Sequence, residues 1–146
     1  MSHVASIDLE IKDLDCLFKA AAELGLEVRA GQTSYRWFGT HVGDYPLPEG
    51  VTLEDLGRCE HALGVPNNGK AYEIGIAKVN GKWTLLWDFF MGGYGLQRLV
   101  GEGCQKLKQG YAKQVALKQV KKLTGMGWKL TEQKLPSGEI KLSLEK

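Results

Sequence analysis

The sequence predicts an α+β domain: a mostly antiparallel sheet of about six strands with two helices packed on one face, in a single domain covering residues 1–146. Three observations carry this expectation. Period-2 alternation of apolar and polar residues marks strands near both ends. An Asn-Gly pair joins two β-prone runs in the middle of the chain. Two amphipathic helical segments are separated by several strands instead of alternating with them one for one, which argues against a parallel α/β sheet.

Val4 to Ile11 reads as the first strand, because Ala5, Ile7, Leu9 and Ile11 alternate with Ser6, Asp8, Glu10 and Lys12. Asp13 caps a helix whose apolar residues Leu14, Leu17, Phe18, Ala21 and Leu24 recur at helical spacing, and Gly25 supplies its left-handed stop. Leu26 to Phe38 reads as one long strand or two short ones with a bend at Gly31. Gly39 to Gly57 holds Pro46, Pro48 and several glycines and reads as a connecting loop. Within it, Thr52-Leu53-Glu54-Asp55 suits one short helical turn with a Thr-x-x-acid box. Cys59 to Val65 is expected as a short strand before the Pro66–Gly69 turn.

Tyr72 to Val79 and Lys82 to Phe90 form the expected hairpin around Asn80-Gly81, whose residue types accept the positive φ angles of a type I′ turn. The glycines from Gly92 to Gly103 predict a loop or short turn over Met91–Gly103. A long helix follows, from about Cys104 to Leu123. Leu107, Tyr111, Ala112, Val115, Ala116 and Leu123 share its apolar side, with Lys106, Lys113 and Lys121 on the other. Trp128–Leu135 and Glu139–Leu144, joined by Pro136-Ser137-Gly138, read as a closing hairpin in which Ile140, Leu142 and Leu144 alternate with polar residues.

Composition narrows the function classes. The 146 residues suffice to bury roughly two thirds of the unfolded surface without staples. No apolar run approaches the ~20 residues of a membrane span. The first residues, MSHVASIDLEIKDLD, lack the basic and apolar regions of a secretory signal. The expected home is therefore the cytoplasm or a plastid stroma, with no membrane partner. Cys16, Cys59 and Cys104 fit reduced thiols. Residues 1–95 hold 8 Lys/Arg against 13 Asp/Glu, and residues 96–146 hold 11 against 4. That basic third either recruits an anionic partner or complements the acidic part of the same molecule.

Several residues invite a chemical reading beside a structural one. Asp88 lies among Leu85, Leu86, Trp87, Phe89 and Phe90. A carboxylate there, if buried, must accept hydrogen bonds from the following loop's backbone, meet a cation, or serve a ligand or proton transfer. Met91-Gly92-Gly93-Tyr94-Gly95 before a helix offers bare amides to an anion, but it lacks the Gly-Lys-Ser/Thr ending of a nucleotide-binding loop. Cys59 and His61, two apart, would share a face of one strand and point at one ion. No second pair completes a metal set, so neither metal nor cofactor is expected. Tyr35, Trp37, Phe38, Tyr72, Trp83 and Trp87 are base-stacking surfaces or core. Arg29 to Trp37 forms a second candidate surface.

Five motifs, in order, resemble one family. Met1-Ser2-His3 leads into a strand, and Tyr72-Glu73-Ile74-Gly75-Ile76 follows. Trp87-Asp88 with Gly92-Gly93-Tyr94-Gly95, then Gln109-Gly110-Tyr111-Ala112, then Pro136-Ser137-Gly138-Glu139-Ile140 complete the set. Together they are similar to the conserved plastid and cyanobacterial open-reading-frame family numbered thirty-five, a domain of unknown function also found in other bacteria and some phages. The resemblance covers nearly the whole chain. It implies a small soluble protein without an assigned activity or catalytic residues. Gly110 stands where that family often has arginine, and the Gly39–Gly57 loop diverges.

The function expected is that of a non-catalytic binding or accessory protein for a phosphate-bearing small molecule or a nucleic acid. Its candidate contacts are Asp88, Gly92, Gly93, Tyr94, Lys106, Lys113, Lys121, Arg29 and Trp37. A protein-interaction or homo-oligomerisation module is the alternative, and a small enzyme using Asp88 with a histidine is the third reading.

Overall fold

The computed structural model describes residues 3–41, 43 and 45–145, with backbone alone at 130, 142 and 144. Met1 and Ser2 of the first motif, and the side-chain alternation expected at Leu142 and Leu144, lie outside the described residues. The fold is α+β. Strands β1 (Val4–Ile11), β2 (Glu27–Ala30), β3 (His61–Gly64), β4 (Ile74–Val79) and β5 (Lys82–Asp88) form one antiparallel sheet in the order β1-β5-β4-β3-β2. Helices α1 (Leu14–Glu23), α2 (Leu96–Val100) and α3 (Gln105–Thr124) accompany it. The closing hairpin, β6 (Lys129–Lys134) and β7 (Ile140–Glu145), pairs only with itself. The main sheet therefore has five strands, and the last two of the chain make a separate two-stranded sheet.

Local chemistry explains the elements that match expectation. Asp13 Oδ1 accepts the Cys16 N–H at 3.2 Å, an N-cap, and α1 ends with Gly25 at φ 86°. Leu26 N–H reaches Ala21 O at 3.0 Å and Gly25 N–H reaches Ala22 O at 3.0 Å, the paired bonds of a Schellman stop. Asn80 at φ 52° and Gly81 at φ 77° make the two-residue turn, with Val79 opposite Lys82. Thr52 caps the short turn Leu53–Asp55, and the Asp55 carboxylate accepts from the Thr52 N–H at 3.4 Å and from Thr52 Oγ1 at 2.8 Å.

Helices and sheet enclose one core between Leu17, Leu63, Ile74, Ile76, Leu85, Leu96 and Leu107, all fully buried. Each such side chain contributes about 1.5–3 kcal/mol by leaving water. Tyr111 pins α3 to the start of α1, its hydroxyl oxygen accepting Lys12 N–H at 2.9 Å and Asp13 N–H at 3.3 Å. At the α1–α3 crossing, a methyl on Gly110 would stand 3.2 Å from Ala20 Cβ. An arginine in that place would need the helices to part by a few tenths of an ångström, so glycine here permits the close approach.

Four expectations are corrected. Leu26–Phe38 is strand only over Glu27–Ala30, because Gly31 at φ 77° turns the chain off the edge, and a lone bridge pairs Ser34 with Arg58. The remainder covers the second face of the sheet, where Tyr35, Val51, Leu56, Cys59, Ala62 and Leu86 form another core. Tyr35 lies across Gly75, where any Cβ would overlap its ring. The apolar side of α3 is narrower than its sequence suggests: Leu107, Tyr111, Gln114 and Val120 are buried, while Ala112 and Val115 are exposed. Gln114 occupies a buried position because its Nε2 donates to Glu23 Oε1 at 2.8 Å. Cys59 and His61 do not share a face. Regular pairing starts at His61, which stacks near Phe18 and Trp83, whereas Cys59 packs into the second core. The Met91–Gly103 segment, expected as a loop or short turn, contains helix α2, because Leu96 and Val100 bury one side of it in the core.

Candidate ligand surface at the end of β5

Asp88 is fully buried, and its carboxylate is occupied by backbone amides from three segments. Oδ1 accepts from His3 N at 3.1 Å and from Phe90 N at 3.1 Å, and Oδ2 accepts from Phe38 N at 3.2 Å. Three such bonds replace the water a buried carboxylate forfeits. One side chain thus ties together the entry of β1, the loop after β2 and the exit of β5. Each amide belongs to an aromatic residue, so the carboxylate also gathers three rings. His3 lies 5.2 Å from Phe90, 5.3 Å from Phe89 and 5.5 Å from Tyr45, centroid to centroid. Phe38 remains 45% exposed.

Immediately beyond, four consecutive residues adopt left-handed geometry: Met91 (φ 52°), Gly92 (63°), Gly93 (66°) and Tyr94 (54°). Glycine accepts this conformation freely, whereas each L-residue in it costs about 1–2 kcal/mol. The turn is held from both sides. Gly92 N–H donates to Phe89 O at 3.0 Å, Gly93 O accepts from Tyr72 N at 2.8 Å, and Leu96 N–H bonds back to the carbonyls of Gly92 and Gly93. The Gly92 amide is thereby engaged by Phe89 and is not free for an anion. What the turn does is point Met91 and Tyr94 outward, at 70% and 44% exposure. Tyr94 meets buried Tyr72 edge-on, with centroids 5.0 Å apart.

Glu73 anchors the same surface from the other side. It accepts from Arg29 Nη1, from Gln32 Nε2 at 2.9 Å and from Arg36 N at 2.8 Å. Burial pushes its pKa up, but the bonds from Gln32, Arg29 and Arg36 outweigh that and hold the carboxyl below the usual glutamate value. Arg36 Nη1 donates to Ala71 O at 2.9 Å, which fixes this exposed guanidinium next to the Ala71-Tyr72 backbone, and exposed Lys70 precedes Ala71 in sequence. Glu73 and Asp88 are the buried acids among the described residues. Each accepts three hydrogen bonds, and Arg36 and Lys70 are exposed cations beside them among the described residues.

The remaining sequence candidates are dispersed. Arg29 is on edge strand β2, paired with Glu27 and Glu73, three strands from β5 and so about 14 Å away across the sheet. Its link to that surface is the bond to Glu73. Trp37 is half-buried against the second core, its indole nitrogen closely abutting Gly57. Lys106 and Lys113 line a groove between α3 and the tip of the β6–β7 hairpin, whereas Lys121 is exposed further along α3. Among the described residues no group of three or more His, Cys, Asp or Glu is placed to hold a metal ion, and no helix is long and apolar enough to cross a membrane. Burial pushes the Cys59 thiol up to about 11 and the Cys104 thiol up to about 12, so neither supplies a thiolate at neutral pH.

Sequence reasoning did not single out Glu73 or Lys70, and it held Arg36 and Met91 only as members of the Arg29–Trp37 surface and the Met91–Gly95 loop. Glu73 carried the signal that singled out Asp88, a lone carboxylate between apolar neighbours, here Tyr72 and Ile74. Comparison with family models, curated proteins and solved structures finds no match to this chain.

Proposed function

We propose that this is a non-catalytic binding protein whose surface at the end of β5 takes a phosphate-bearing partner with a planar base, a nucleotide or single-stranded nucleic acid. One observation carries the reading: exposed Tyr94 and Phe38 accompany the cations Arg36 and Lys70, while the acids built into the surface, Glu73 and Asp88, are buried and saturated. Aromatic faces stack bases of any sequence, and cations track the phosphates. Asp88 and the Gly92-Gly93 turn position the aromatic groups without touching the partner. Membership of the open-reading-frame family numbered thirty-five is proposed on the same ground, since two of its motifs build this turn. A reducing compartment, cytoplasm or plastid stroma, suits three buried free thiols.

Fluorescence anisotropy with a labelled single-stranded oligonucleotide, and with a mononucleotide as competitor, tests the proposal. Tyr94→Ala weakens binding by the about 1–3 kcal/mol of one stacked base. Removing Arg36 and Lys70 together lowers the salt slope by about 1.4, two phosphates at about 0.7 each. Competition by the mononucleotide assigns the smaller ligand. Binding indifferent to salt and to Tyr94 sinks the proposal. Protein association at the same surface is the second reading, favoured by the exposure of Met91, and concentration-dependent mass in light scattering would support it.

A further inference from the structure

The groove between α3 and the β6–β7 tip lies on a different part of the molecule from the aromatic surface. Its volume is about 900 Å³, its floor is formed by Leu24, Ala112, Ala116 and Ile140, and Lys106 and Lys113 flank it. Ile140 keeps 39% of its surface exposed there, and Ala112 is exposed. Neither flanking lysine has an ion pair among the described residues, whereas Lys118 of the same helix pairs with Asp13. No acidic residue occurs anywhere in α3, and Glu139 at the hairpin tip is the acid that lines the groove.

We infer that this groove docks an acidic amphipathic helix of another protein. The lysines are seven residues apart, about 10.5 Å along the axis, the spacing of successive heptad positions on a helix laid alongside. Acidic side chains one heptad apart meet Lys106 and Lys113, the apolar stripe between them covers the alanine and isoleucine floor, and a basic or neutral residue faces Glu139. A nucleic acid would satisfy the lysines alone, because methyl groups offer bases no stacking face. The described helices of this chain cannot fill the role for a second copy: the apolar side of α1 is buried in the core, and α3 carries no acid.

The probe is a labelled helical peptide of about three heptads with Glu at one heptad position and Leu at the apolar ones, set against a scrambled peptide of the same composition. Anisotropy is expected to show saturable, salt-weakened binding of the first and none of the second. Lys106→Glu with Lys113→Glu weakens it about tenfold or more through like-charge opposition. Ala116→Asp, on the groove floor, weakens it independently. Unchanged melting temperatures keep both results interpretable, and amide shifts confined to α3 and residues 137–140 locate the site. No saturable binding, equal binding by the charge-reversed protein, or displacement of the peptide by an oligonucleotide at comparable affinity overturns the inference. Tyr94→Ala leaves peptide binding unchanged, so failure here and failure of the nucleotide proposal are separable.

Discussion

Replacing Asp88 by asparagine conserves shape and removes one charge, so its effect isolates the bonding at the end of β5. The amide oxygen can keep the place of Oδ1, accepting from His3 and Phe90. Its NH2 group then confronts the Phe38 N–H, donor against donor. An orphaned buried amide costs about 1–3 kcal/mol, and converting the other two bonds from a charged to a neutral acceptor weakens each by about 1 kcal/mol. Relief of burying a charge offsets part of this, leaving a net loss of about 2–4 kcal/mol. For a chain of this length that is about 6–12 °C in melting temperature. Urea unfolding followed by tryptophan fluorescence measures the loss, and hydrogen exchange locates it. The amides of Phe38 and Phe90 should lose protection while those of β3 and β4 keep theirs. A variant within about 0.5 kcal/mol of the parent, the scatter of ordinary surface substitutions, would refute the structural role assigned to Asp88.

Other consequences are open to the same assays. The Tyr35 hydroxyl is buried without a hydrogen-bond partner among the described residues, and burial pushes its pKa up to about 12; Tyr35→Phe should therefore raise stability by about 1 kcal/mol in urea melts. Because Glu73 is held below its ordinary value of 4.5, its contribution to stability is present above that pH and is lost as pH falls through its lower folded-state pKa. Acid titration of unfolding free energy should show Glu73→Gln less stable at neutral pH and flatter below about pH 4.5 than the parent. Met91→Gly should gain about 0.5–1 kcal/mol by relieving left-handed strain, yet weaken any protein association at this surface, and thermal melts beside light scattering separate the two effects. A loss of about 0.5–1 kcal/mol in Met91→Gly, the entropic cost of glycine alone, would mean that the turn carries no strain.

Elements whose cause lies within a few residues were legible. The Asn80-Gly81 turn, the Asp13 cap and the Gly25 stop each rest on bonds spanning at most five residues, and each stands where its residue types predict. The Leu26–Phe38 segment was not legible as built, since its β-prone aromatics suit an edge strand and a core cover equally well. Gly75, which receives the Tyr35 ring, is 40 residues away from it. Nor could α3's pattern reveal which of its apolar positions face α1, because Gln114 gains a buried place only by reaching Glu23.

The Ala71–Gly95 stretch shows where local information ends. Its residues by themselves determined a hairpin, a glycine-dependent corner and a carboxylate that needs partners, because turn geometry and the cost of desolvating a charge are properties of the local chain. Only the tertiary structure decided who those partners are. One of the three amides on Asp88 comes from two residues away, the others from 50 and 85, and Glu73 draws its donors from Arg29, Gln32 and Arg36. Bonds closed over such separations depend on how the sheet and its covering loop come together, and no periodicity or turn signal in the sequence encodes that meeting.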